Sequence, residues 1–316
     1  MVLASIAPLI PGLRHIVIAE ASLRAVCARL DAASLPLPTW DDEVFLLHPP
    51  EIRAAQILLF NTINFSYWGD PKWTIDFRGQ PQDGAWGMLG AIARAVQDEG
   101  FPLFDSAYLA SISELDLRHV LRGNVEIPMF RDRLDILRQV GSVLVSEFDG
   151  RFVNLIGAAE NDAVALVELL VDRFPSFNDV ASLNGKVVAF YKRAQLATAM
   201  LYEAFEGEGW GDLRRTEELT VFADYKLPQV LRRLGVLRYE PWLADQIDRY
   251  EPLMAGSRAE IEIRAATVWA CELMRRELVS RFPQVTALHI DYWLWREGQT
   301  KGRDIRPYHR VRSIYY

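Results

Sequence analysis

Apolar residues recur at intervals of three and four along most of this chain, and no long stretch of Val, Ile and Thr alternates with polar residues. That period belongs to a helix face, and it directs the chain to a mostly α-helical fold without a large sheet. Leu23, Val26, Cys27 and Leu30 predict a helix over 20–32. Ile52 to Phe60 predicts another that runs on toward Trp68, and 85–98, 130–147 and 160–173 read as further amphipathic helices. Over 185–206, Val187, Phe190, Ala194, Ala197, Leu201 and Ala204 keep the spacing, with Asn184 as the expected N-cap. The alternative there is a hairpin at Asn184-Gly185; the persistence of the period favours the helix. Ser257-Arg258-Ala259-Glu260 is a capping box that opens a helix to about residue 280. Its apolar residues cover more than one face, as in a central buried helix. A last helix is expected over 284–297. With no fixed repeat and no Ser/Gly/Pro-rich linker, the expectation is a single helical domain over residues 1–316, with at most short strands.

Half of the residues are hydrophobic, enough to bury a core that offsets the entropy of ordering the chain. No uncharged apolar run reaches the length of a spanning helix, and the N-terminus lacks the basic start of a secretory signal, so no membrane partner is expected. Cys27 and Cys271 sit far apart in apolar helical patterns. They read as buried free thiols, which fits a reducing, cytoplasmic setting. His15, His48, His119, His289 and His309 show no paired ligand spacing, so no metal is expected. No P-loop and no Gly-x-Ser-x-Gly elbow is present. Gly84, Gly87 and Gly90 flank Trp86, Met88 and Leu89 and read as close helix packing. The net charge of −7 disfavours direct binding to nucleic acid, which rests on clustered cations, but leaves room for a small anionic ligand.

Three segments depart from the helical rule by setting charge among large aromatics: 61–70, 220–229 and 288–295. Asp224 lies between Phe222 and Tyr225, and Asp291 shares a helix with Leu288, Tyr292 and Trp295. Poor solvation raises a carboxyl pKa, and a nearby cation lowers it again. Two such aspartates suffice to cleave a glycosidic bond, one acting on an oxocarbenium-like sugar or its water, the other on the leaving group. Phe222, Tyr225, Tyr292 and Trp295 suit the stacking of a flat heterocycle. The plainer reading has Asp224 capping a helix near Pro228 and Asp291 pairing with a core arginine, and Trp68, Trp73 and Trp269 read as core. His48, in a loop before Pro49-Pro50 and ahead of a helix, is a further ligand candidate. The cations Lys192 and Arg193 follow Phe190-Tyr191. From Arg296 onward the chain carries six Lys/Arg against two Asp/Glu, and it ends in Ile314-Tyr315-Tyr316, too apolar for a free tail. Arg310 and Arg312 there are able to grip a phosphate.

Six stretches carry a family resemblance in order: Asn64-Phe65-Ser66-Tyr67-Trp68, Phe190 to Gln195, Phe222 to Gln229, Glu260-Ile261-Glu262-Ile263-Arg264, Asp291 to Trp295, and Pro307 to Tyr316. Together they resemble the queuosine salvage family, the queuosine 5′-phosphate N-glycosylases. The resemblance implies a helical fold similar to that of DNA glycosylases. It implies release of queuine, a 7-deazaguanine used in tRNA modification, from queuosine 5′-monophosphate, without a cofactor. On it, Asp224 is the catalytic carboxylate and Asp291 binds base or sugar, with Phe222, Tyr225, Tyr292 and Trp295 around the base. Lys192, Arg193, Arg310 and Arg312 are phosphate candidates by chemistry, and the resemblance does not rank them. The expected partner is the small nucleotide alone, bound by a monomer. The competing readings are a modified-nucleotide binding protein and an enzyme acting on damaged DNA.

Overall fold

The computed structural model describes residues 1–299 and 305–316, and it is helical around two apolar cores. The first core surrounds the helix Pro50–Thr62, buried at every position from Ala54 onward. Helices Gly84–Gln97, Phe130–Glu147, Phe152–Gly157 and Lys192–Ala204 pack around it. The second surrounds the helix Arg258–Leu278, which meets helices Glu20–Arg29, Lys226–Arg233 and Ala287–Gln299. This helix is central as its sequence predicts. Its capping box is modified: Ser257 Oγ accepts from the Glu260 amide at 3.4 Å, while the Glu260 carboxylate reaches back to the Gly256 amide at 3.1 Å.

The expected helices at 85–98, 130–147, 160–173 and 284–297 appear as Gly84–Gln97, Phe130–Glu147, Ala163–Arg173 and Ala287–Gln299. The expectation for 185–206 needs correction. Val180–Leu183 and Lys186–Ala189 form an antiparallel hairpin, and the helix begins only at Lys192. Asn184 and Gly185 both take positive φ, 54° and 74°, the backbone of the tight turn that Asn-Gly favours, so Asn184 is no N-cap. Val187, counted toward the helical stripe, is 66% exposed on the outer face of its strand. Two further short strand pairs occur among the described residues, Ile16–Ile18 with Leu237–Tyr239 and Thr74–Phe77 with Gln80–Asp83. The glycines of the Gly84–Gln97 helix do serve close packing. A Cβ on Gly90 would stand 3.2 Å from Ile75 and Phe77, and one on Gly87 would press the Gln82 carbonyl at 2.9 Å.

The segment 305–316 docks as expected. Trp68 Nε1 donates to the Val311 carbonyl (3.1 Å), the Ser66 amide to that of Tyr316 (2.9 Å), and Tyr316 Oη to Glu260 (3.0 Å). No helix among the described residues is long and apolar enough to cross a membrane.

Candidate active site

The seam between the cores opens into a cavity of about 670 Å³, within the range of small-molecule sites. Its walls come from both cores: Phe60, Phe65 and Met200 from the first, Tyr225, Leu227 and Tyr316 from the second. Successive residues at 221–223 alternate between cores. Val221 and Ala223 enter the second and Phe222 the first, so this segment forms part of the seam itself.

Three titratable side chains meet there. Lys192 is the first residue of its helix, buried, with its pKa lowered by burial against the opposing charges of Asp224 and Asp291. Asp224 precedes the helix Lys226–Arg233, and its Oδ1 accepts from the amides of Lys226 (2.7 Å) and Leu227 (3.1 Å). The carboxylate therefore satisfies two free amides at the helix start while it lines the cavity. Capping and a place in the cavity wall coincide in one side chain. Asp291 is 8% exposed and pairs with no arginine among the described residues; its Oδ1 accepts from the Phe222 amide at 2.7 Å. Burial pushes its pKa up to about 8, opposed by that amide and by Lys192 and reinforced by Asp224.

Aromatic rings close the cavity. Tyr292 stacks on Trp295 (6.0 Å, 14°), Trp295 meets Trp86 (6.3 Å), and Tyr225 packs on Tyr308 (4.7 Å). Among the described residues no group of His, Cys, Asp and Glu has the arrangement of a metal site.

Residues 47–316 match the family model described as "Queuosine salvage protein". The chain belongs to the queuosine salvage protein family. A Sphaerobacter thermophilus relative named queuosine 5′-phosphate N-glycosylase/hydrolase is 46% identical over 279 residues, 88% of this chain and 86% of that protein. Relatives of the same name from Bos taurus (35% over 281 residues, 84% and 82%) and Schizosaccharomyces pombe (30% over 319 residues, 91% and 90%) also span nearly the whole chain.

The residues singled out in the sequence divide into three groups. Asp224, Asp291, Phe222, Tyr225, Tyr292, Trp295 and Lys192 all line the one cavity. Arg193 does not. Its guanidinium is fully buried and donates to the carbonyls of Asn61, Thr62 and Ser176, closing the C-terminal end of the Pro50–Thr62 helix. Arg310 and Arg312 stand behind the wall, over the Trp68 ring at 5.6 and 3.6 Å, and His48 sits in an exposed loop away from the lining.

The cavity also holds residues the sequence reading passed over. Trp68 is buried as expected, yet it lines the cavity. Lys72 and Lys226 add cations: Lys72 lies 3.6 Å from Asp83, and Lys226 sits over the Tyr308 ring at 5.3 Å. Glu203 ends a stripe of Lys192, Leu196, Met200 and Glu203 along one helix face, and Trp40 and Trp86 stand on its side of the cavity. A carboxylate on the apolar face of a helix was the available signal for Glu203.

Proposed function

We propose that this chain hydrolyses the N-glycosidic bond of queuosine 5′-phosphate and releases queuine. The observation that carries this reading is the meeting of Asp224, Asp291 and Lys192, from three separate elements, in one aromatic-walled cavity of nucleotide size.

A 7-deaza base has carbon where a purine has N7, so protonation at that position cannot help it leave. Catalysis then rests on stabilising the sugar cation, on placing water and on protonating the base elsewhere. Asp224, fixed by two amides, faces C1′ of the sugar. As the C1′–N9 bond breaks, its electron pair leaves with the base, and Asp224 stabilises the oxocarbenium-like sugar and takes a proton from the incoming water. Asp291, raised to about 8, carries a proton at neutral pH and supplies it to the departing base. The products are queuine and ribose 5-phosphate. Tyr292 and Trp295 stack on the base, and Lys226 and Lys72 at the cavity rim take the phosphate, whose binding orients the sugar remote from the scissile bond. In this reading the working unit is a monomer, with one chain supplying every residue named above.

The test is base release, followed by chromatography, from queuosine 5′-phosphate, the unphosphorylated nucleoside, the 3′-phosphate and guanosine 5′-phosphate. The 5′-phosphate of queuosine is expected to be cleaved much faster than the other three. Equal rates for nucleoside and 5′-phosphate would remove the phosphate argument, and binding without release from any of the four would make the chain a binding protein.

A further inference from the structure

Buried carboxylates in this protein have cations for company. Asp179 and Glu260 face Arg264, Glu262 faces Arg258, and Glu272 faces Arg275 and Arg276. Two buried carboxyls at the cavity wall, Asp291 and Glu203, form no ion pair among the described residues; Lys192 still acts on Asp291, and no cation acts on Glu203. Glu203 is 7% exposed. Its Oε2 accepts from Trp40 Nε1 at 2.7 Å, Oε1 has no hydrogen-bond partner among the described residues, and the residue lines the cavity. A lone carboxyl taken out of water is costly, and burial holds this one up at about 8, opposed by the Trp40 hydrogen bond and reinforced by Asp291.

The surroundings are those of a cation receptor. Trp40, Trp86, Trp295 and Tyr292 all line the same cavity, in a run of ring contacts that passes from Tyr292 through Trp295 and Trp86 to Phe45 and Trp40. Aromatic faces attract organic ammonium groups, and most strongly where water is excluded. The protein's own cavity cation Lys192 stands at the other end of the helical stripe. Glu203 lies eleven positions further along the helix, about 16 Å of rise. Lys192 and Glu203 therefore mark opposite ends of the stripe, and Asp291 is near enough to act on the charge of each.

We propose that the part of the cavity at Glu203 is a subsite for an organic ammonium group, and that Glu203 selects bases carrying a cationic arm. This rests on the reading of the substrate given above. Queuine differs from 7-deazaguanine by an arm at C7 that contains a secondary amine, cationic at neutral pH. The arm projects from the edge of the bicycle opposite the guanine N1–H and amino group. A base with its glycosidic bond at Asp224 extends this arm along the stripe toward Glu203 and Trp40. On binding, the carboxyl of Glu203 gives its proton to solvent and forms a charged hydrogen bond to the ammonium.

The test needs no turnover. Dissociation constants are measured for two free bases, 7-aminomethyl-7-deazaguanine and 7-cyano-7-deazaguanine, the first cationic and the second neutral. The wild-type chain is expected to bind the cationic base tighter by about tenfold or more. Glu203→Gln, which keeps an oxygen for Trp40, is expected to remove that preference, and Glu203→Asp to keep part of it. Equal affinity of the wild type for both bases, or an undiminished preference in Glu203→Gln, would overturn the proposal. Release of queuine from queuosine 5′-phosphate by the wild type is scored separately. Its absence would count against the glycosylase reading while the two affinities still decide the role of Glu203.

Discussion

The guanidinium of Arg264 closes on the carboxylate of Asp179 through two hydrogen bonds, at 2.9 and 2.5 Å, with both side chains buried. Each partner also holds one side of the cavity. Asp179 accepts the Lys192 amide at 3.2 Å, and Arg264 Nε donates to the Ala223 carbonyl at 3.0 Å, next to Asp224. Phe190 and Tyr316 cover the guanidinium at 4.0 and 4.3 Å. One ion pair thus sets the helix that carries Lys192 against the segment that carries Asp224.

Removing one partner leaves a buried charge alone. Asp179→Asn and Arg264→Gln are each expected to cost about 3–5 kcal/mol, read from denaturant midpoints. The double variant should lose clearly less than the sum of the two. Strict additivity would show that the pair is not coupled.

The raised pKa of Asp291 makes stability depend on pH. Its folded value, about 8, lies above the ordinary 3.8, so the folded state holds a proton that the unfolded chain has lost. This contribution is fully present below about pH 4 and fades as pH rises toward 8. Glu203 acts in the same sense. The melting temperature of the wild type should fall from pH 5 to pH 9, and Asp291→Asn should flatten that fall. An unchanged slope in the variant would refute the assignment.

His309 works in the opposite direction. Burial, helped by the charge of Arg264, holds its pKa down to about 3 against an ordinary 6.5. Its contribution is present above pH 6.5 and is lost as pH falls toward 3, by an amount on the order of a few kcal/mol. His309→Gln should soften the acid limb of a melting-temperature profile. A parallel shift of the whole curve would mean that the ring acts through packing alone.

The docked segment is a structural part of the fold. Val311 and Tyr316 are buried, and Ser66 Oγ donates to the Ser313 carbonyl at 2.8 Å. Deleting residues 307–316 should cost about 3 kcal/mol or more, together with turnover, because Trp68 and Tyr316 both line the cavity. A deletion variant with unaltered melting temperature and rate would contradict this.

Much of this was legible in the sequence where local chemistry decides the outcome. The Ser257–Glu260 signal and the 130–147 period depend on neighbours three or four residues away, and the structure realises both. The aromatic-acidic segments around Asp224 and Asp291 stood out because charge among large rings has few reasons to exist. Two local signals competed at 180–190, and the Asn-Gly turn prevailed over a helical stripe whose Val187 points outward. Arg193 could not be told from Lys192 next to it. A helix turns about 100° per residue, so one faces the cavity while the other faces the carbonyls of a helix more than 100 positions earlier. Lys72 reaches the site from a distant segment, and only tertiary packing brings it there, whereas Glu203 shares the helix of Lys192 and was marked by a carboxylate on an apolar face.

The role of Asp224 is tested most directly by Asp224→Asn, which keeps the side-chain oxygen for the Lys226 and Leu227 amides and removes the charge. Single-turnover release of queuine from saturating queuosine 5′-phosphate is measured beside the equilibrium dissociation constant of the same ligand. The expected result is a rate lower by about a hundredfold or more with binding largely kept, the mark of an interaction made in the transition state. A variant that releases queuine at the wild-type rate would contradict the account.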